Sequence, residues 1–159
     1  MALPMSLPEN AKIVELFNPK TTNASLTSDT ISLKNALKAW AVFNFTQAAG
    51  HATTPTLRQA TDVANGTTAA GPTCRIWVNE DTAATDTLVA ATAGASVAVT
   101  NDIKNKMVVF EIDPASLTEG YDCVYFTIAT SSQATNFVTA TMYIEPRYQQ
   151  ATPPTAITD

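Results

Sequence analysis

Apolar residues are densest between Met107 and Glu145, in three runs: MVVFEI, YDCVYFTIAT and FVTATMYIE. Each is rich in β-branched and aromatic residues and bounded by turn formers, the signature of short strands. Further upstream, KIVELF (Lys12–Phe17) predicts a strand stopped by Asn18-Pro19, because the residue before proline avoids helical geometry. ISLKNALKAWAVFNFTQ divides in two. Leu33, Leu37 and Trp40 stand at helical spacing, whereas Ala39, Ala41, Phe43 and Phe45 alternate with Trp40, Val42 and Asn44. Both alternating sets are largely apolar, so the pattern predicts a central strand covered on both faces.

The rest of the chain is punctuated at short intervals. Thr53–Val63 fits a half-exposed strand or a short helix starting at Pro55. Asn65-Gly66 is a turn, since both residues tolerate positive φ. CRIWV (Cys74–Val78) predicts a strand, and Thr87–Ala90 and Ser96–Val99 predict a weak hairpin around Ala93-Gly94. Asp113 is placed to cap one helical turn begun by Pro114, after which Leu117 dips inward and Gly120 releases the chain. No amphipathic helix of about ten residues links any two strands, as a parallel α/β sheet would require. The expected fold is therefore all-β: one antiparallel β-sandwich, jelly-roll-like, over residues 11–146. Residues 1–10, with Pro4 and Pro8, predict an extended N-terminal arm, and the proline-containing residues 147–159 a second arm.

Composition adds to this picture. The chain has 159 residues, enough for one domain. Charged residues make up only 14%, against roughly 25% in ordinary soluble domains, while Ala and Thr each supply roughly one residue in six. A surface of Thr, Ser, Asn and Ala suits a protein packed against identical neighbours. It suits a neutral secreted or phage-type β protein equally well. A net charge of −5 with nine scattered basic residues argues against nucleic-acid binding, which needs a basic stripe to displace counterions. No run approaches the roughly 18 apolar residues of a membrane span. The opening MALPMSLPENAK lacks the basic and apolar regions of a secretory signal, which points to synthesis in a cytosol.

Candidate chemistry is sparse. Cys74 and Cys123 sit in apolar runs and read as buried thiols in a reducing compartment, with a bridge open to them if maturation occurs outside the cell. His51, the sole histidine, lies in a loop without a neighbouring acid and serves at most one triad. Glu80, Asp81 and Asp86 could gather round a hard cation, but their spacing departs from an EF-hand loop. Tyr121, two residues before Cys123, resembles the tyrosine corner of immunoglobulin sandwiches, although Trp77 follows Cys74 too closely for that pattern. No enzyme motif, metal site or cofactor site is expected. The arms offer candidate partner-binding residues by side-chain type and position: Leu3, Met5 and Leu7 at one end, Arg147, Tyr148 and Ile157 at the other.

The stretches ISLKNALKAWAVF, RIWVNEDTAATDTLV, IKNKMVVFEIDPASL, GYDCVYFTIATSSQATNFVTATMYI and RYQQATPPTAI lie within residues 31–159. Together they resemble the capsid decoration, or cement, proteins of tailed bacteriophages and prophages. The resemblance implies a β-sandwich on the outer surface of an icosahedral head, assembled in the bacterial host cytoplasm. It further implies the major capsid protein as partner and self-association as a dimer or trimer. Other phage parts, such as a tail or head-to-tail component, remain alternatives. So does a receptor- or glycan-binding sandwich using aromatics such as Trp77.

Overall fold

A computed structural model describes residues 6–148. Eleven strands form two antiparallel sheets facing one another. They are β1 (Lys12–Thr21), β2 (Leu26–Thr27), β3 (Ile31–Ser32), β4 (Ala36–Gln47), β5 (Pro55–Ala60) and β6 (Thr68–Ala70), followed by β7 (Arg75–Asn79), β8 (Val89–Ala90), β9 (Asn105–Ile112), β10 (Cys123–Ile128) and β11 (Asn136–Pro146). The larger sheet runs β1-β11-β4-β9-β7-β8, and the smaller runs β2-β10-β5-β6 with β3 also on β10. The pairs β1–β11, β2/β3–β10, β4–β9 and β5–β6 nest inside one another, like a single long hairpin folded over. That nesting is the jelly-roll arrangement, to which β7 and β8 add a ribbon at one edge.

The core lies between the inner faces. Phe43 on β4 is its centre: its ring stands 4.9 Å from Phe126 of the opposite sheet and 5.7 Å from Phe110 on β9, both edge-on. Ala39 and Ala41 share the inner face of β4 with Phe43 and Phe45, small beside large, so the opposing side chains interdigitate. Lys106 extends the inner row of β9 beyond Val108, Phe110 and Ile112, and its side chain is fully buried. Its ammonium donates to the Thr100 carbonyl at 2.9 Å and faces Glu80 at 3.3 Å, which fastens the loop before β9 over the end of the sandwich.

Several local expectations change. Pro19 does not stop β1, because β1 is an edge strand and a register shift falls between Phe17 and Lys20, where Pro19 stands; proline is tolerated at such bulges. The first bulge turns both Leu16 and Phe17 inward. Leu33, Leu37 and Trp40 make no helix: Leu33 is buried after β3, and Leu37 and Trp40 lie within β4. Nor is β4 covered twice. It is central within its sheet, but only its Ala39–Phe45 face is buried. Thr53–Val63 resolves as strand β5. The hairpin at 87–99 does not form. Val89 and Ala90 pair with β7 instead, while Gly94, Ser96 and Val99 bridge to Cys74, Thr56 and Thr53, so this segment crosses from one sheet to the other. Residues 7–10, expected to be extended, make one helical turn begun by Leu7-Pro8. Proline is favourable at the start of a helix, where its missing N–H has no partner to lose.

Other local readings hold. Asn65 adopts φ +60 in the turn between β5 and β6, and Gly120 adopts φ +85 ahead of β10. Asp113 accepts a bond from the Ala115 N–H at 2.9 Å, capping a 3-10 turn at Pro114–Ser116, and Leu117 packs against the core. Tyr121 is half-buried and has no side-chain hydrogen bond among the described residues, so the immunoglobulin-type corner is not formed here.

Candidate functional site

Two surface features follow from this architecture. The first is the pair of chain ends. β1 begins where β11 finishes, with Lys12 opposite Ile144, so the start of the first strand and the end of the last lie side by side. Leu7 is 41% exposed on its helical turn, and Tyr148 is 65% exposed. The N–H of Arg147 is held by the Asn35 carbonyl at 2.7 Å, which fixes the root of the second arm against the start of β4. The structure thus brings Leu7, Arg147 and Tyr148 to one end of the molecule. Leu3, Met5 and Ile157 lie outside the described residues.

The second feature is the outward face of the larger sheet. Strand register aligns Ile13, Tyr143, Trp40, Glu111 and Arg75 in one row across five strands. The adjacent row runs Thr141, Val42, Val109, Trp77. Side chains directly opposite on neighbouring strands lie about 5 Å apart, so each row is a continuous surface. Ile13 is 43% exposed, and Tyr143, Trp40, Val42, Val109 and Trp77 are half-buried. Both tryptophans of the chain therefore stand on this face.

Charged groups sit among the rings. Lys38 bonds to Glu111, and its ammonium also lies 5.7 Å from the Trp40 ring centroid, within range of a cation–π attraction. The Trp77 indole N–H points at the second Glu111 oxygen, 3.4 Å away. The Lys38 bond first, then the Trp77 N–H, hold the Glu111 carboxyl below the usual carboxylate range against the opposing effect of burial. Beside this pair opens a cleft of about 420 Å³, lined by Lys38, Thr73, Arg75, Glu111, Asp113 and Ser116 with Cys74 at its wall. Burial, with the charge of Glu111, pushes the Cys74 thiol up to about 11. Cys123, on the outer side of the smaller sheet, is pushed up to about 12 by burial and by Asp122. Both cysteines are free and buried, and both are protonated at neutral pH.

The remaining candidates serve the fold. Glu80 accepts from Thr100 and pairs with Lys106, and Asp81 pairs with Lys104 at 3.2 Å while capping the N–H groups of Ala83 and Ala84. Asp86 is exposed. Among the described residues no three His, Cys, Asp or Glu side chains gather as metal ligands. No helix among them is long and apolar enough to cross a membrane. His51 is exposed, and among the described residues only its backbone is engaged: its carbonyl accepts from the Gln47 side-chain amide and its N–H donates to the Ala49 carbonyl.

The outward face was hidden in the sequence by its own composition. Trp40 and Val42 look like a second core row. The signal that they are not is at the ends of the outward rows, where Lys38, Asn44, Glu111 and Glu145 occur at the same alternation. A face buried under another layer would rarely carry four charged or amide positions of that kind.

No protein-family model matches the sequence, and no curated protein matches it. Solved structures do resemble its fold. The SPBc2 prophage-derived protein YomS aligns with a TM-score of 0.53 at 13% identity, over 85% of this chain and 92% of YomS. A structure described as CBM4 aligns at 0.35 and 10% identity, over 77% and 60% of the two chains. A putative sugar binding protein from Bacteroides thetaiotaomicron aligns at 0.32 and 12% identity, over 77% and 65%. The likeness to YomS is one of fold: the chain is a single-domain, two-sheet antiparallel β-sandwich of the kind a prophage-derived protein also adopts.

Proposed function

We propose that this chain is a non-enzymatic virion structural protein that binds the outside of an icosahedral phage head and stiffens it, as a decoration or cement protein does. The observation that carries the reading is the pairing of Lys12 with Ile144, from which two terminal arms would start side by side. A rigid body with two adjacent tethers can seat on a shell while its arms reach neighbouring subunits. Many identical copies then add weak contacts into strong attachment. Leu3, Met5 and Leu7 supply apolar anchors in this scheme. Arg147, Tyr148 and Ile157 supply the other set, with Pro153-Pro154 lowering the entropy lost on ordering.

The partners in this reading are the major capsid protein and further copies of the chain, as a dimer or trimer. Nucleic acid and membrane have no part in it. The low charge content and the fold shared with a prophage-derived protein support it. The test is binding of the purified protein to phage heads that lack it. Saturable binding, together with heads that release their DNA at a higher temperature, is the expected result. Assembly of the protein into rings or tubes, with no affinity for heads, would favour a tail or head-to-tail role instead.

A further inference from the structure

We infer that the outward face of the larger sheet, with the cleft beside Glu111, is a binding site for a neutral pyranose glycan. This goes beyond the proposed attachment to a head, which uses the arms.

Trp40, Trp77 and Tyr143 are half-buried on this face, with Lys38 over one side of the Trp40 ring, and an electron-rich π-face attracts the C–H groups on the flat side of a sugar ring. Trp40 and Trp77 are two strands apart, with β9 between them. That is a lateral separation of about 10 Å, a span for a short oligosaccharide and not for one monosaccharide. Between the two indoles stands Glu111, in register with Trp40 and bonded to Lys38 and to the Trp77 N–H. Its position would let it accept from a sugar hydroxyl while the rings hold the sugar's faces.

Charge selects among ligands. The cleft carries two basic side chains, Lys38 and Arg75, and two acidic ones, Glu111 and Asp113. Their formal charges cancel, which favours a neutral polyhydroxyl ligand over a polyanion or a polycation. Thr73 and Ser116 add hydroxyls that both donate and accept.

A second copy of the chain fits the face less well. The Lys38–Glu111 pair lies on the face beside Trp40, and a dry protein interface over it would strip both charges of water, a cost its Coulomb attraction does not reliably offset. A hydroxyl-rich ligand, with the waters it brings, keeps those groups hydrogen-bonded.

Because both tryptophans lie on this face, their emission reports on it directly. The experiment is to screen the full-length protein on an array of microbial glycans, then titrate the best oligosaccharide while following tryptophan fluorescence. A shift in emission is expected, with at least tenfold weaker binding in Trp77→Ala and in Trp40→Ala. Glu111→Gln should weaken binding less than either and leave the far-UV spectrum unchanged. Trp77→Phe, which keeps a ring in place, should recover part of the affinity and guards against a folding artefact. A silent array overturns the assignment, as does binding indifferent to both tryptophan substitutions. So does a fall in molecular mass on light scattering with Trp40→Ala, which would give the face to a second copy.

Discussion

The two faces of the larger sheet are built from the same strands and differ in what they do. On β4, Phe43 points inward and Trp40 outward, three residues apart. Phe43 is sealed by four other phenylalanine rings, Phe17, Phe45, Phe110 and Phe126. Trp40 meets Tyr143, Lys38 and solvent. An aromatic residue inside needs no explanation beyond burial. A group of aromatic and aliphatic residues left half-open, with an ion pair among them, is more than the fold requires, and contiguous apolar surface of that sort marks a place of contact.

The largest effect that separates the faces is on stability. Phe43→Ala removes the ring that joins the two sheets and should cost about 3–5 kcal/mol, measured by chemical unfolding. If it costs less than Trp40→Ala, the assignment of inner and outer faces is wrong. Trp40→Ala and Trp77→Ala should cost about 1–2 kcal/mol each, since only part of each indole leaves contact with protein. Those two variants should keep the fold and the thermal cooperativity of the parent.

A smaller and more specific effect concerns pH. The Glu111 carboxyl is lowered in the folded protein by Lys38 and then by the Trp77 N–H. An unfolded glutamate titrates near about 4.3. The bonds to its charged form therefore stabilise the protein above that value, and this contribution fades as pH falls through the lower folded value. Glu111→Gln should lower stability at neutral pH and change it little at the acid end, which flattens the acid limb of a stability–pH profile. An identical acid limb in both proteins would show that the ion pair on the outward face contributes nothing.

How much of this was legible beforehand differs between the faces. The inner rows are plain in the sequence, because Ala39, Ala41, Phe43 and Phe45 alternate as a buried strand must. The sandwich class followed from strand spacing and from the lack of connecting helices. What the chain did not disclose is pairing across long separations. The path of residues 89–99 from one sheet to the other depends on free edges at β7 and β5 that no local pattern announces. The continuation of β1 past Pro19 likewise depends on its being an edge strand. The outward rows were misread for the same reason. Trp40 and Trp77 are 37 positions apart, and only the β4–β9–β7 register places them around Glu111. Of the arm residues, Leu7, Arg147 and Tyr148 could be located, and the adjacency of their two arms arose from the β1–β11 pairing.

The most direct measurement is co-sedimentation with heads that lack this protein. It would compare the intact chain, a form without residues 1–10, a form without residues 147–159, and the Trp40→Ala/Trp77→Ala double variant. The account predicts that each shortened form stays in the supernatant while the double variant still pellets with the heads. Shortened forms that pellet normally, beside a double variant that does not, would contradict it.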